Sequence, residues 1–152
     1  MNKVIISDTS CLIALSRIGH LDILRLTFGI IYITQIVANE FQETLPDWMI
    51  IEEIKNIDRF GQLKLILDPG EASAIILAQE TKDAVLIIDE KKGKKIATNL
   101  NIAIIGTLKV LLIAKDKGVI SSVKMIISDL QANYFRFNKT IVEEVLRLAG
   151  ES

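Results

Sequence analysis

Three oxygen-bearing side chains follow predicted strands and are placed where they could act on one substrate. Asp8 and Asp89 each come after a short apolar, β-branched run of the kind that forms a buried strand, and Thr107 follows another such run. Ligands of open parallel sheets bind beyond the carboxyl ends of the strands. We therefore expect these three side chains at one edge of a sheet.

Two further carboxylates fall on predicted helices. Glu40 continues an apolar stripe of helical spacing that includes Ile36 and Val37, and an acid that faces inward needs a partner. Glu71 lies in the first turn of the helix predicted over 70–81. Together with the acids after the strands, these two side chains make four candidate carboxylates.

Each of these acids also has a purely structural explanation. Asp8 and Asp89 stand just before predicted helices, where Asp is a favoured N-cap, and Glu71 stands three residues after Asp68, which is the spacing of a capping box. Glu40 could form an ion pair with a neighbouring Lys or Arg. The hydroxyls of Ser10 and Thr107 are common at helix starts as well.

The combination of four carboxylates favours a metal site. Carboxylates gathered at one sheet edge repel each other, and proteins usually stabilise such a cluster with a hard divalent cation, Mg²⁺ or Mn²⁺. Zinc is disfavoured, because Cys11 and His20 are the only cysteine and histidine. The same scarcity removes Ser-His-Asp and Cys-His catalysis, and the chain has no Walker A or GxGxxG stretch.

A group of lysines follows Asp89 in the stretch AVLIIDEKKGKKIA, residues 84–97. The residues concerned are Glu90, Lys91, Lys92, Gly93, Lys94 and Lys95. Lysines in the first turns of a helix oppose the helix dipole, so a ligand that attracts them is expected. A nucleic-acid phosphate next to the metal would do so, with Gly93 letting the backbone approach. The alternative is a solvated helix face, with Glu90 as local charge relief.

Strands and helices alternate along the chain. Strands are predicted at 4–6, 30–33, 85–88 and 102–105, and helices at 9–18, 20–27, 34–44, 70–81, 90–100, 107–117, 121–132 and 139–149. Segment 46–69 is harder to assign and is expected to hold a short strand near 48–54 and a helix near 58–66. This βα pattern predicts an α/β fold of three layers, α/β/α, with a central parallel sheet in one domain over 1–152.

Composition sets outer limits on function. The 152 residues are 50% hydrophobic with a net charge of −1, so affinity for nucleic acid must come from a local patch of lysines. A single cysteine allows no disulfide framework. Since Asp8 interrupts any signal-peptide core and no apolar run is long enough to span a bilayer, we expect a cytoplasmic protein with no membrane partner.

Five blocks of the sequence, in order, resemble PIN-domain nucleases. They are VIISDTSCLIAL (4–15), IVANEF (36–41), LDPGEASAIILAQE (67–80), LIIDEKKGKKIA (86–97) and IIGTLKVLLIAKDKGVI (104–120). The similarity covers nearly the whole chain and is strongest to a compact prokaryotic, VapC-like branch of toxin-antitoxin type. The chain departs from this branch at Lys109, where a glycine is common.

The resemblance implies roles for the candidate residues. Asp8, Glu40, Glu71 and Asp89 would be catalytic and would hold Mg²⁺ or Mn²⁺, with Ser10, Thr107 and Glu90 as accessory groups. Lys91, Lys92, Lys94 and Lys95 would bind RNA. The implied function is a metal-dependent endoribonuclease, the toxin of a type II pair, with an RNA substrate and a small antitoxin as partners.

Two other functions remain open. A catalytically silent nucleic-acid-binding or protein-interaction module of PIN-like fold would use the lysines alone. A phosphotransfer domain also places Asp at strand ends, but a haloacid-type phosphatase needs an acid where this chain has Ser10. Neither explains Glu40.

The carboxy-terminal segments are unusually apolar. Residues concerned are Val123, Ile126, Ile127, Leu130, Ile141, Val142, Val145 and Leu146. We expect them either to pack in the core or to provide a surface for a homodimer or the antitoxin.

Overall fold

The computed structural model describes residues 2–152 and is organised around a five-stranded sheet. The strands are β1 (Val4–Ser7), β2 (Ile31–Ile33), β3 (Met49–Ile51), β4 (Ala84–Ile87) and β5 (Ala103–Ile105). All pairs are parallel, in the order β3-β2-β1-β4-β5. Val4 lies opposite Ala84 and Ser7 opposite Ile87, so β1 and β4 end side by side.

Helices fill the connections between these strands and follow the last one. They are α1 (Thr9–Arg17), α2 (Asp22–Phe28), α3 (Gln35–Phe41), α4 (Ile57–Leu63), α5 (Pro69–Glu80), α6 (Lys91–Asn99), α7 (Thr107–Asp116), α8 (Val123–Ala132) and α9 (Lys139–Leu148). No helix within residues 2–152 is long and apolar enough to cross a membrane.

The sheet separates two hydrophobic cores, which confirms the predicted three-layer α/β/α fold. Ile5 and Ile87 point into one core, and Ile6 and Leu86 point into the other, because successive side chains of a strand face opposite ways. The first core is completed by α1, α2, α3, α7, α8 and α9, and the second by α4, α5 and α6. Apolar runs without polar alternation are what strands covered on both faces require.

Most predicted boundaries agree with the structure to within two residues, and the exceptions have local causes. The short strand expected within 46–69 is present as the edge strand β3. The helix predicted to reach residue 44 ends at Phe41, because Gln42 has a left-handed backbone with φ of 59°. The helix expected to reach residue 66 ends at Leu63 and gives way to tight turns, in which the Ile66 N–H donates to the Leu63 carbonyl at 3.0 Å.

The carboxy-terminal apolar residues belong mainly to the core. Val123, Ile126, Ile127, Leu130 and Val145 are buried, and Val142 and Leu146 pack against them. Ile141 alone of the eight is exposed. Of the two alternatives expected for these residues, core packing therefore explains most of the apolar surface.

Candidate active site

The first two candidate acids meet because β1 and β4 are neighbours. Asp8 follows the last residue of β1 directly, and its N–H donates to the Ile87 carbonyl at 2.9 Å. Asp89 lies two residues beyond the end of β4. The sheet-edge rule therefore placed both acids correctly.

Asp8 is a buried acid with 3% of its surface exposed. It precedes α1, but its side chain makes no capping hydrogen bond to that helix, so capping does not explain it. Burial, together with the nearby charges of Asp68, Glu40 and Asp89, raises the pKa of Asp8 to about 7 against a backbone hydrogen bond from Thr9 that lowers it. Asp8 is thus the point at which the other acids converge.

Asp89 serves as the cap of a different helix from the one expected. Its Oδ1 accepts the backbone N–H of Thr107 at 2.8 Å, and its Oδ2 accepts the Thr107 hydroxyl, so Asp89 caps α7. The helix that follows it in sequence, α6, is capped by Glu90, whose Oε2 accepts the Gly93 N–H at 2.9 Å. The expected cap of α6 by Asp89 was therefore wrong, and Glu90 has a structural role.

Glu40 approaches the site from the last turn of α3. Its side chain is exposed rather than turned into the core, which corrects the inward orientation expected from the apolar stripe. Its Oε1 accepts the Thr9 hydroxyl at 2.6 Å, and no ion pair within residues 2–152 involves it. The carboxylate lies against Gly70, where a β-carbon would overlap Oε1 and come 2.8 Å from Cδ.

Glu71 is buried at the start of α5 beside a fifth acid, Asp68. The expected capping bond is present, since Asp68 Oδ1 accepts the Glu71 N–H at 2.9 Å. Burial and then the Asp68 carboxyl raise the pKa of Glu71 well above its usual range, with smaller contributions from Asp8 and Glu90. Glu71 Oε2 is a buried oxygen with no hydrogen-bond partner among residues 2–152.

Sequence reasoning treated two members of this site as secondary or overlooked them. Asp68 was assigned only a capping role, yet its charge acts on both Asp8 and Glu71. Thr9 was not predicted as a site residue, although its hydroxyl donates a hydrogen bond to the Glu40 carboxylate. The signal for both was position, because Thr9 follows a strand-end acid and Asp68 opens the helix that carries Glu71.

The reason given for Gly93 was also wrong. A β-carbon there would come 2.7 Å from Ile88 Cδ1 and 3.3 Å from Glu71 Oε2. Gly93 is buried, so its small size serves the packing of α6 over Glu71 and not an approach of ligand to backbone.

The four lysines of α6 divide into two groups. Lys91, Lys92 and Lys95 are exposed, whereas Lys94 is half-buried and lies with Asp89 over Gly106. A β-carbon on Gly106 would be 3.4 Å from Lys94 Nζ and 2.9 Å from Asp89 Oδ1. Ser10 is exposed and lines a cavity with Asp89 and Thr107.

The side chains at this edge suit a hard divalent cation. All are oxygen donors, and the orphaned Glu71 Oε2 is an acceptor that a cation would satisfy. Soft ligands are missing, since burial raises the pKa of the Cys11 thiol to about 12 and His20 is exposed elsewhere. Within the described part of the chain, however, no three His, Cys, Asp or Glu side chains form a ready-made metal-binding group. The acids interact through charge without sharing one coordination sphere.

One comparison with known proteins identifies the family of the chain. A family model described as PIN domain matches residues 4–151. Neither the curated proteins nor the solved structures gave a match. PIN domains are generally nucleases, hydrolases that work with divalent metal ions. Because the match spans nearly the whole chain, this protein belongs to the PIN-domain family.

Proposed function

We propose that this protein is an endoribonuclease that depends on Mg²⁺ or Mn²⁺. The observation that carries the proposal is the convergence of Asp8, Glu40, Asp68 and Asp89 on one sheet edge, with Glu71 buried beside them. No ion pair within residues 2–152 neutralises any of these acids. A fold does not keep such uncompensated charge for stability, because it costs free energy to hold like charges together.

Each acid has a defined part in this proposal. Asp8, Glu40 and Asp89 would hold the ion directly or through water, and Glu71 with Asp68 would orient water or a second ion. When bound, the ion supplies acidification of the attacking water and neutralisation of charge on the phosphate in the transition state. Thr9 and Thr107 fix the orientation of two of the carboxylates by hydrogen bonds.

Hydroxyl donors orient these acids without cancelling their charge. A Lys or Arg in the place of Thr9 would pair with Glu40 and compete with a metal ion for it. A hydroxyl donates one hydrogen bond and leaves the negative charge in place. The donors at this edge therefore support a site that is meant to receive a cation.

We also propose that the biological role is that of a toxin in a toxin-antitoxin pair, inhibited by a small antitoxin protein. The support is the resemblance of the five sequence blocks to the VapC-like branch. The test is growth of cells that express the chain. We expect the parent protein to arrest cell growth and Asp8→Asn, at an equal protein level, to leave growth unaffected. Growth arrest by the parent and by Asp8→Asn alike would contradict a nuclease toxin.

The decisive biochemical test is Asp8→Asn, which removes one charge and keeps the shape of the side chain. Asp8 makes no capping bond, so this change is cleaner than Asp89→Asn, which would also disturb the cap of α7. We expect metal-dependent RNA cleavage to fall by roughly 100-fold or more. The metal-free variant should melt several degrees higher, because a buried charge among like charges has been removed.

Metal binding is measured by its effect on the melting temperature of the protein. Mg²⁺ or Mn²⁺ should raise the melting temperature of the parent by mass action, and should raise that of Asp8→Asn much less. Asp47→Asn, an exposed acid away from the site, is the matched control and should behave like the parent. Full cleavage activity of Asp8→Asn would contradict the assignment of Asp8 to the active site. If the parent binds RNA but does not cleave it, the catalytically silent module is favoured.

A further inference from the structure

A cavity of about 530 Å³ opens directly beside the candidate active site. Its lining includes Asp89, Thr107, Ser10 and Lys94. The cavity is therefore continuous with the sheet edge at which the acids converge. Whatever occupies it lies within reach of a phosphate held at that edge.

The rest of the cavity wall is mainly apolar and comes from α1, α7, α9 and the segment 133–138 that connects α8 with α9. Ile141 and Leu148, 53% and 57% exposed, lie on one face of α9 with Val145 between them. Val145 is itself buried in the core, onto which Val142 and Leu146 also pack, so Ile141 and Leu148 are the exposed apolar side chains of this helix face. We call this apolar wall, with the rings of Phe135 and Phe137 that complete it, the α9 groove.

Three cations surround the α9 groove. Lys94 lies near Asp89 over Gly106, and Lys109 and Arg136 also line the cavity. None of the three takes part in an ion pair within residues 2–152. An apolar wall with unpaired positive charges at its edge matches a ligand that is flat and apolar at its centre and carries anionic groups at its ends.

We propose that the α9 groove is a nucleotide subsite, which receives the base of a nucleotide adjoining the phosphate that is cut. This inference rests on the proposed nuclease function, because that function places a phosphodiester at Asp89. Bases bind apolar and aromatic walls through their faces, and the flanking phosphates pair with Lys and Arg.

The composition of the groove separates this occupant from others. A free phosphate would leave the apolar wall without a contact, and an apolar helix of another protein would leave Lys94, Lys109 and Arg136 without counter-charge. A base in a duplex stays stacked on its neighbours and could not enter, so the occupant is an unpaired nucleotide.

The groove also predicts weak selectivity among bases. Base identity is read by hydrogen bonds to base edges, whereas stacking on an apolar wall accepts every base. Apart from the three cations, Asp89 and Thr107, the polar side chains that line the cavity are Ser10 and Asn138, and the Asn138 Oδ1 already accepts the N–H groups of Thr140 and Ile141. We therefore expect binding to depend on the presence of a base and little on its identity.

The test is the double variant Ile141→Gln with Leu148→Gln, both in exposed positions where the fold tolerates a polar side chain. Binding of a fluorescent single-stranded RNA octamer is followed by anisotropy in EDTA, so that it is independent of cleavage. The double variant should bind about tenfold more weakly than the parent. An octamer of abasic nucleotides should bind parent and variant equally, because it has no base to place in the groove.

The matched control is Ile57→Gln with Leu26→Gln, which removes two similarly exposed apolar side chains, 61% and 54% exposed, outside the groove. This control should bind both octamers like the parent. Equal affinity of the double variant and the parent for the normal octamer would overturn the subsite. Equal weakening with the abasic octamer, or loss of a protein partner with RNA binding unchanged, would overturn it as well.

Failure of the subsite and failure of the proposed function give different results. A parent that binds the octamer in a groove-dependent way but never cuts it with Mg²⁺ or Mn²⁺ removes the nuclease proposal and keeps the subsite. A parent that cuts RNA while the double variant binds normally keeps the nuclease and removes the subsite. A parent that neither binds nor cuts the octamer overturns both.

Discussion

At the scale of single residues, the candidate site depends on a glycine that has no chemistry of its own. Gly70 is the second residue of α5, and the Glu40 carboxylate lies where a β-carbon of this residue would be. The absence of a side chain at position 70 thus determines where an acid from another helix can lie. We infer that Gly70 positions Glu40.

Gly70→Ala should therefore separate activity from stability. The added methyl group would displace the Glu40 carboxylate, which lies at the end of a flexible side chain and can rotate away at little cost. Cleavage should fall at least tenfold, close to the loss caused by Glu40→Gln. Ala is favoured over Gly within helices by up to about 1 kcal/mol, so the melting temperature should stay level or rise by roughly 2–4 °C.

Gly61→Ala is the control for this change. Gly61 lies in α4, and a β-carbon there would meet nothing within 4 Å. Gly61→Ala should stabilise its helix by a similar amount to Gly70→Ala and leave the cleavage rate unchanged. Thermal melts and cleavage rates of both variants check the prediction, and full activity of Gly70→Ala would show that this placement of Glu40 is not needed.

Single residues were predictable from the sequence only where a general rule applied to them. Asp8 and Asp89 followed from the rule that ligands bind beyond strand ends. Asp68 was not recognised as a site acid, because an N-cap and a site acid look the same in sequence. The exposure of Glu40 and the packing of Gly93 depend on which helices meet, and local sequence does not carry that information.

At the scale of elements, α6 carries an electrostatic conflict. Its first five residues include Lys91, Lys92, Lys94 and Lys95. Positive side chains at a helix amino terminus oppose the helix dipole, and Glu90 offsets this only in part through its capping bond. A favourable contact with phosphate would account for the arrangement.

Lys92→Gln with Lys95→Gln tests that contact, since both side chains are exposed. If each pairs with a phosphate of single-stranded RNA, the slope of log K against log salt should become shallower by about 1.4, or about 0.7 per contact. The same variant should be slightly more stable, because two charges that oppose the dipole are gone.

The control for net charge is Lys82→Gln with Lys124→Gln, two exposed lysines outside α6. It lowers the total charge by the same amount and should leave the salt slope near that of the parent. Identical slopes for the two double variants would return the α6 lysines to the role of a solvated face.

Element positions were predicted better than element ends. The βα alternation of apolar runs located every strand, including the short β3, because buried strands and amphipathic helices have different periods. The end of α3 depends on the left-handed backbone of Gln42, and glutamine is not a residue type that predicts this conformation.

At the scale of the whole molecule, Glu151 near the carboxy terminus connects α7, α8 and the end of α9 through hydrogen bonds. Glu151 accepts hydrogen bonds from the Lys115 ammonium at 2.8 Å, the Ser122 hydroxyl at 2.9 Å, and the backbone N–H groups of Val123 and Lys124 at 2.8 and 3.0 Å. It links α7 and α8 to the segment after α9. Burial opposes its ionisation, but these bonds outweigh burial and lower the pKa of Glu151 to about 2.

Glu151→Gln should therefore destabilise the protein in a pH-dependent way. Because the folded-state pKa of about 2 lies below the ordinary value of 4.5, ionised Glu151 adds stability above pH 4.5 and loses this effect as the pH falls toward 2. At pH 7 the variant should lose about 2 kcal/mol, the size expected for charged hydrogen bonds that include a helix cap.

Urea unfolding of parent and variant between pH 2.5 and pH 7 checks this prediction. The difference in unfolding free energy should shrink steadily below about pH 4.5. Glu144→Gln, which removes an exposed acid from a surface pair with Arg147, should change little at any pH. A deficit for Glu151→Gln that does not vary with pH would contradict the charged role of this residue.

The three-layer fold could be predicted from the sequence, but the strand order could not. Apolar runs in the sequence predict strands, but they do not predict which strands pair. The position of β1 between β2 and β4 is seen only in the assembled sheet. For the same reason, the sequence left core packing and a partner surface as alternatives for the apolar residues of α8 and α9. Both helices pack against α7, a contact that the sequence pattern does not specify.

The position of β1 between β2 and β4 has a consequence for protein synthesis. A ribosome makes β1 first, but the partner strand β4 and the acid Asp89 follow about eighty residues later in the chain. Until that segment has emerged and paired, Asp8 has no Asp89 beside it and Glu71 has no α6 over it. A growing chain therefore lacks the assembled carboxylates, so any chemistry that needs all of them begins only after β4 and α6 have been added.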